Sequence, residues 1–135
     1  MLKLENSVKS HGLSDDVIFP GFVSEGELRW LYENTLAYVF PSLSEGFGLP
    51  GLEAMVHGTP VISSKATCLP EIYKKGACYF NPEDEIDMAN KINKVITNKK
   101  YRNNLIAEGL NVSAQYSWEK MAQQTLDAYD RVLKK

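Results

Sequence analysis

At 135 residues the chain is one domain's worth, because single domains usually run about 100–150 residues, and a two-domain enzyme does not fit. With 44% hydrophobic and 24% charged residues, 6 Pro and 9 Gly, the composition is that of an ordinary globular domain rather than a disordered, fibrous or disulfide-dense one. Fifteen Lys and Arg against 17 Asp and Glu leave a net charge of −2, so there is no basic excess to neutralise a phosphate backbone and nucleic acid is not expected as a partner.

In chain order, Leu2, Leu4 and Val8 suggest a short helix that stops at Gly12. The run Val17-Ile18-Phe19-Pro20-Gly21-Phe22-Val23 reads as a buried strand passing into a loop. Ser24 with Glu27 three residues on has capping-box spacing and opens a helix over residues 25 to about 34. Leu36-Ala37-Tyr38-Val39-Phe40 is a continuous apolar run, short enough for a central parallel strand. A glycine-bearing loop, a short buried helix over 50–57 and a strand at Pro60-Val61-Ile62-Ser63-Ser64 follow, with a last strand at Ala77-Cys78-Tyr79-Phe80. Three helices are predicted beyond it, over 84 to about 97, 99 to about 115 and 117–135, the last with Trp118, Ala122, Leu126, Tyr129 and Leu133 at helical spacing. This alternation argues for an α/β fold with a partial doubly wound, Rossmann-like parallel sheet and a helical C-terminal end, one unit over 1–135.

Cys68 and Cys78 lack metal-site or disulfide-framework spacing and read as reduced thiols. No window reaches the 18 or so apolar residues of a membrane span and the charged start is no signal peptide, so the default location is the cytoplasm. Lys91, Lys94, Lys99, Lys100 and Arg102 read as a solvated helix face, the alternative being peripheral contact with a membrane surface that carries lipid-linked acceptors.

The segment Pro41-Ser42-Leu43-Ser44-Glu45-Gly46-Phe47-Gly48-Leu49-Pro50-Gly51-Leu52-Glu53 carries the chemistry. It lies between a buried strand and a helix start, the edge where open α/β sheets bind ligands. Gly46 and Gly48 allow close backbone approach, and Pro50 suits a first helical turn whose free N–H groups favour an anion. Glu45 and Glu53, eight positions apart, would repel a phosphate unless they accept hydrogen bonds from hydroxyls, as a carboxylate does from a vicinal diol. Phosphates flanked by sugars satisfy both. The bland alternatives are a solvated Glu45, a Glu53 that complements the helix dipole from the first turn, and glycines that only make a tight turn.

Glu45 to Glu53 with Gly-Phe-Gly-Leu-Pro between them resembles the E-x7-E motif of the retaining GT-B glycosyltransferases of family 4, the glycosyl transferases group 1. The likeness continues through Glu53-Ala54-Met55-Val56-His57-Gly58-Thr59-Pro60-Val61-Ile62-Ser63-Ser64, Leu69-Pro70-Glu71-Ile72, Phe80-Asn81-Pro82-Glu83-Asp84 and Ser117-Trp118-Glu119, nearly the whole chain. The resemblance implies a C-terminal domain that binds a UDP- or GDP-sugar and serves transfer to a glycan, lipid or polysaccharide acceptor. It implies that Glu45 is catalytic, contacting donor-sugar hydroxyls and supporting charge at the anomeric centre. It further implies that backbone amides of Gly46, Phe47, Gly48 and Leu49 face sugar and diphosphate, that Glu53 holds the ribose diol, and that Val23 touches the base through its backbone. No metal and no other cofactor is implied.

The family's opening strand and glycine-rich turn, with an Arg and a Lys for the diphosphate, have no match, and neither has its N-terminal acceptor domain. The expectation is therefore an N-terminally incomplete domain with little transfer on its own. Its first strand then pairs directly with its successor, swaps between chains in a homo-oligomer, or leaves an edge exposed. His57 falls at a helix end, a structural place for His, and Lys65 reads as a solvated loop lysine with a reach to phosphate as its alternative. Glu71 opens a short helix and shapes the pocket wall, and Trp118, Tyr129 and Leu133 read as core or as packing for another domain. From a different class, the rival is a catalytically silent nucleotide-binding or protein-interaction module that uses the apolar face of the last helix.

Overall fold

The most apolar short runs of the chain become a parallel sheet, in a computed structural model that describes residues 2–134. Neither Lys135 nor the side chain of Leu2 is among the described positions. The order is α1 (Leu2–Ser10), α2 (Glu25–Asn34), β1 (Tyr38–Phe40), α3 (Leu49–Val56), β2 (Val61–Ser64), α4 (Leu69–Tyr73), a 3-10 turn (Lys74–Gly76), β3 (Ala77–Phe80), α5 (Glu85–Thr97), α6 (Lys99–Ser113) and α7 (Trp118–Leu133). The strands lie in the order β1-β2-β3, all parallel, with Tyr38 opposite Val61 and Val61 opposite Ala77.

Strand side chains alternate between faces, and both faces are covered. Tyr38, Phe40, Val61 and Ala77 pack with Leu52, Ala54 and Met55 of α3, Leu69, Ile72 and Tyr73 of α4, and Val112 of α6. Val39, Ile62, Cys78 and Phe80 point the other way, toward Met88, Ile92 and Val95 of α5 and Leu105 of α6. The middle of α6 approaches closely because it carries no side chain there: a Cβ on Gly76 would lie 3.1 Å from the Gly109 Cα. A mid-helix glycine costs about 1 kcal/mol of helix propensity, which this contact offsets.

Helix starts follow the capping chemistry in the sequence. Ser24 and Glu27 form the complete capping box of α2, and Asp84, Asn98 and Ser117 cap α5, α6 and α7 through their side chains. The first helix ends as expected, with Gly12 at φ +70°.

Three expectations are corrected. Residues 17–23 form no strand: Ile18 is 85% and Phe22 96% exposed, a turn at Leu13 to Val17 precedes them, and Gly21 takes φ +70°. An apolar run becomes a strand only where a neighbour takes its hydrogen bonds, and β1 offers its free edge to nothing among the described residues. The 36–40 run supplies only three strand residues, and they are the half-buried edge of the described sheet; the centre is β2, all four of whose residues are buried. Finally, α7 has no buried residue, with Trp118, Tyr129 and Leu133 all more than half exposed, so they are not core of this unit, and only the alternative of packing for another domain stands.

Candidate functional site

The site grows from the carboxyl end of β1. The chain leaves Phe40, loops through 41–48 and enters α3 at Gly48, whose left-handed backbone (φ +90°, ψ +44°) is the N-cap. No side chain caps this helix and Pro50 occupies its first turn, so the free N–H groups there stay available to an anion.

Of the three glycines in the loop and the first turn of α3, two are needed by the protein itself. A Cβ on Gly51 would lie 2.4 Å from the Tyr73 ring and hydroxyl, and one on Gly48 would lie 2.5 Å from the same hydroxyl and 2.6 Å from Leu69 Cδ2. Tyr73, fully buried, donates from its hydroxyl to the Gly48 carbonyl, and burial pushes its phenol pKa up. The tight-turn alternative therefore describes Gly48 and Gly51. Gly46 differs, because nothing lies within 4 Å of its would-be Cβ.

Glu45 is half-buried and fixed at both ends of its peptide. Thr67 Oγ1 accepts from its N–H and donates to its carbonyl, both at 3.1 Å, while Cys68 Sγ donates to the same carbonyl at 3.3 Å. Its carboxylate accepts from Ser42 Oγ at 2.9 Å, and the Ser42 carbonyl accepts from the Ser64 hydroxyl. Glu53 is exposed and sits in the second turn of α3, because the helix begins at Leu49. A carboxylate there gains little from the dipole of the first turn, which weakens the bland alternative. Burial first, then the charges of Tyr32, Glu53 and Glu45, pushes the pKa of the half-buried Tyr38 phenol up. Tyr32, whose hydroxyl lies 3.4 Å from the Pro50 carbonyl, is raised by burial and then by Glu53.

Phe47, Leu49 and Glu53 line an open cleft of about 500 Å³ together with Tyr116, Trp118 and Met121. Phe47 meets Tyr116 edge to face at 5.7 Å. Of the expected site residues, Glu45, Gly46, Phe47, Gly48, Leu49 and Glu53 are thus gathered at the β1–α3 junction. Val23 lies half-buried ahead of Ser24, in the connection that enters α2. Ser42, Thr67, Tyr38 and Tyr73 were missed by sequence reasoning; only the clustering of hydroxyl residues at both strand ends could have signalled them.

His57 has structural work: its Nδ1 lies 3.3 Å from Glu33 and its ring stacks on Tyr32 at 5.8 Å, tying α3 to α2. Lys65 lines a separate cleft with Asn81, Asp87 and Lys91. The basic cluster is partly used within the chain, with Lys94 over the Tyr101 ring at 4.1 Å and Arg102 donating to the Val95 and Ile96 carbonyls at the end of α5. Among the described residues no helix is long and apolar enough to cross a membrane.

Comparison with known proteins places this geometry. The chain is 40% identical over 126 residues to the serotype-specific mannosyltransferase WbdA of Escherichia coli, covering 93% of this chain and 16% of that protein. It is 37% identical over 122 residues to the O-antigen chain mannosyltransferase RfbU of Salmonella typhimurium, covering 90% and 33% respectively. The chain therefore spans a third or less of these curated relatives. Its fold superposes on a sucrose-phosphate synthase from Thermosynechococcus elongatus with a TM-score of 0.87 at 29% identity, over 98% of this chain and 34% of that one. It likewise matches the C-terminal domain of a glycosyl transferase group 1 protein (LpcC) from Francisella tularensis, with a TM-score of 0.75 at 32% identity over 84% and 60%. The model of the family described as glycosyl transferases group 1 matches residues 2–112, and the chain belongs to that family, with the fold of its GT-B C-terminal domains.

Proposed function

We propose that this chain is the donor-binding part of a retaining glycosyltransferase of family 4, which moves a sugar from a UDP- or GDP-sugar to a glycan, lipid or polysaccharide acceptor. The observation that carries the reading is the placement of Glu45 and Glu53 on either side of an uncapped helix start, with Glu45 held by Ser42, Thr67 and Cys68. In this reading the diphosphate lies against the free N–H groups of the α3 start, and the amides of Gly46, Phe47, Gly48 and Leu49 face phosphate and sugar. Glu53 accepts from the ribose diol, and Val23 meets the base through its backbone.

Chemistry follows from where charge develops. As the bond between the anomeric carbon and the diphosphate oxygen breaks, negative charge gathers on the leaving phosphate, where the helix start stabilises it. Positive charge gathers on the sugar ring, within reach of the Glu45 carboxylate. The reaction so written needs no bound metal. The acceptor is held by a further domain, so transfer by this chain alone is absent or slight. The mannosyltransferase relatives favour a hexose donor.

Isothermal titration of the chain with UDP, GDP and ADP, beside Glu53→Ala, tests the reading. One nucleotide should bind, and Glu53→Ala should weaken it by about 1.5–3 kcal/mol, the scale of hydrogen bonds to a charged group. Absence of binding at millimolar nucleotide would overturn the donor site and leave a silent interaction module, with the exposed apolar face of α7 as its contact surface.

A further inference from the structure

Thr67 has a backbone that its side chain does not favour. Its φ is +44°, a left-handed conformation in which a β-branched residue is strained and a glycine is not. If the turn between β2 and α4 were all that mattered, glycine would serve better there. The threonine contributes a hydroxyl, the polar group that glycine lacks, and that hydroxyl is 3.1 Å from both the N–H and the carbonyl of Glu45. A single group thus accepts from one end of a residue and donates to the other, twenty-two positions along the chain. Such strain persists where the surroundings over-determine it, and it clusters at working sites.

We propose that Thr67 is a positioning residue for Glu45, clamping its peptide from the neighbouring loop so that the carboxylate is presented in one place. The inference rests on the reading of Glu45 as the donor-sugar contact. Ser42 fixes the carboxylate itself, Ser64 fixes Ser42, and Cys68 shares the Glu45 carbonyl, so the clamp completes a framework in which the β2–α4 side of the sheet edge orients the β1–α3 loop. Rigid support of this kind determines how well a charged group meets its target.

The test uses the intact chain with Thr67→Gly, Thr67→Ser, Glu45→Gln and the double variant Thr67→Gly/Glu45→Gln. Amide exchange at Glu45 is followed by NMR, and affinity is measured for UDP, GDP, UDP-glucose and GDP-mannose. Thr67→Gly should melt within about 5 °C of the parent, since relieved strain offsets the lost hydrogen bonds and the added freedom of the unfolded chain, yet should speed Glu45 exchange about tenfold. It should lose roughly threefold to tenfold in affinity for the nucleotide sugar while binding the matching diphosphate within about twofold of the parent. Thr67→Ser should restore both. The double variant should be no weaker than Glu45→Gln, the non-additivity expected of residues acting through one another. If Glu45→Gln loses sugar affinity and Thr67→Gly does not, or if Thr67→Gly weakens sugar and diphosphate binding alike, the positioning inference fails and the donor-sugar reading stands. If Glu45→Gln loses nothing, or the parent binds no nucleotide, the donor-sugar reading fails and the inference falls with it.

Discussion

Gly46 and Gly51 are five positions apart, yet their surroundings assign them opposite duties. A methyl group at Gly51 would sit inside the Tyr73 ring, which is fully buried and cannot swing aside, whereas one at Gly46 meets open space. Gly51→Ala should therefore cost about 1–3 kcal/mol in urea unfolding, the scale of overpacking a core, and Gly46→Ala less than about 0.5 kcal/mol. In nucleotide titration the order reverses among folded variants: Gly46→Ala should weaken binding, because it fills the approach to the loop. Equal stability losses at the two positions would remove the distinction. The sequence displayed these glycines as a set. Their separation depended on Tyr73, more than twenty residues away, whose role no local pattern announces.

Among the elements, α7 stands apart. Its sequence is strongly two-faced and its Ser117 cap is sound, but the structure buries none of its side chains, and Lys120 Nζ reaching the Gln115 carbonyl at 3.0 Å is a tether near its start. The helices α3 and α6, by contrast, place Met55, Leu105 and Val112 in the interior. Local stability follows buried contacts, so hydrogen exchange should run much faster along α7 than along α6 or β2. Exchange in α7 as slow as in β2 would mean that its apolar face is covered in solution by another copy of the chain. The same contrast explains the run at 17–23. Apolar content is a demand for cover, and whether the demand is met depends on what lies alongside.

For the molecule as a whole, the tyrosines set the alkaline limit. Burial pushes the phenols of Tyr38, Tyr73 and Tyr79 above the ordinary value near 10, and Tyr101 is raised to about 12 by burial and then by Cys78. A group whose folded-state pKa is raised holds its proton longer in the native state than in the unfolded one. Its stabilising contribution is thus intact below about pH 10 and is lost as pH climbs toward the native value. The urea midpoint should be level with respect to these groups from pH 8 to about 9.5 and fall above pH 10. Phenolate absorbance from the buried tyrosines should appear together with unfolding rather than before it. Early, non-cooperative ionisation of every tyrosine would contradict their burial.

The sequence by itself determined what depends on neighbours along the chain. It determined the α/β alternation, the capped start of α2, the existence of α5, α6 and α7, the β2 and β3 strands, and the grouping of Glu45, Gly46, Phe47, Gly48, Leu49 and Glu53 at a strand-to-helix junction. Turn residues, caps and hydrophobic period act over a few positions, so a linear reading captures them. Only the tertiary structure decided that β2 rather than β1 lies at the centre of the described sheet, that residues 17–23 and α7 go uncovered, and that Thr67 and Tyr73 grip the loop from across the sheet edge. Those outcomes turn on packing and hydrogen bonds between residues more than twenty positions apart, which periodicity does not encode.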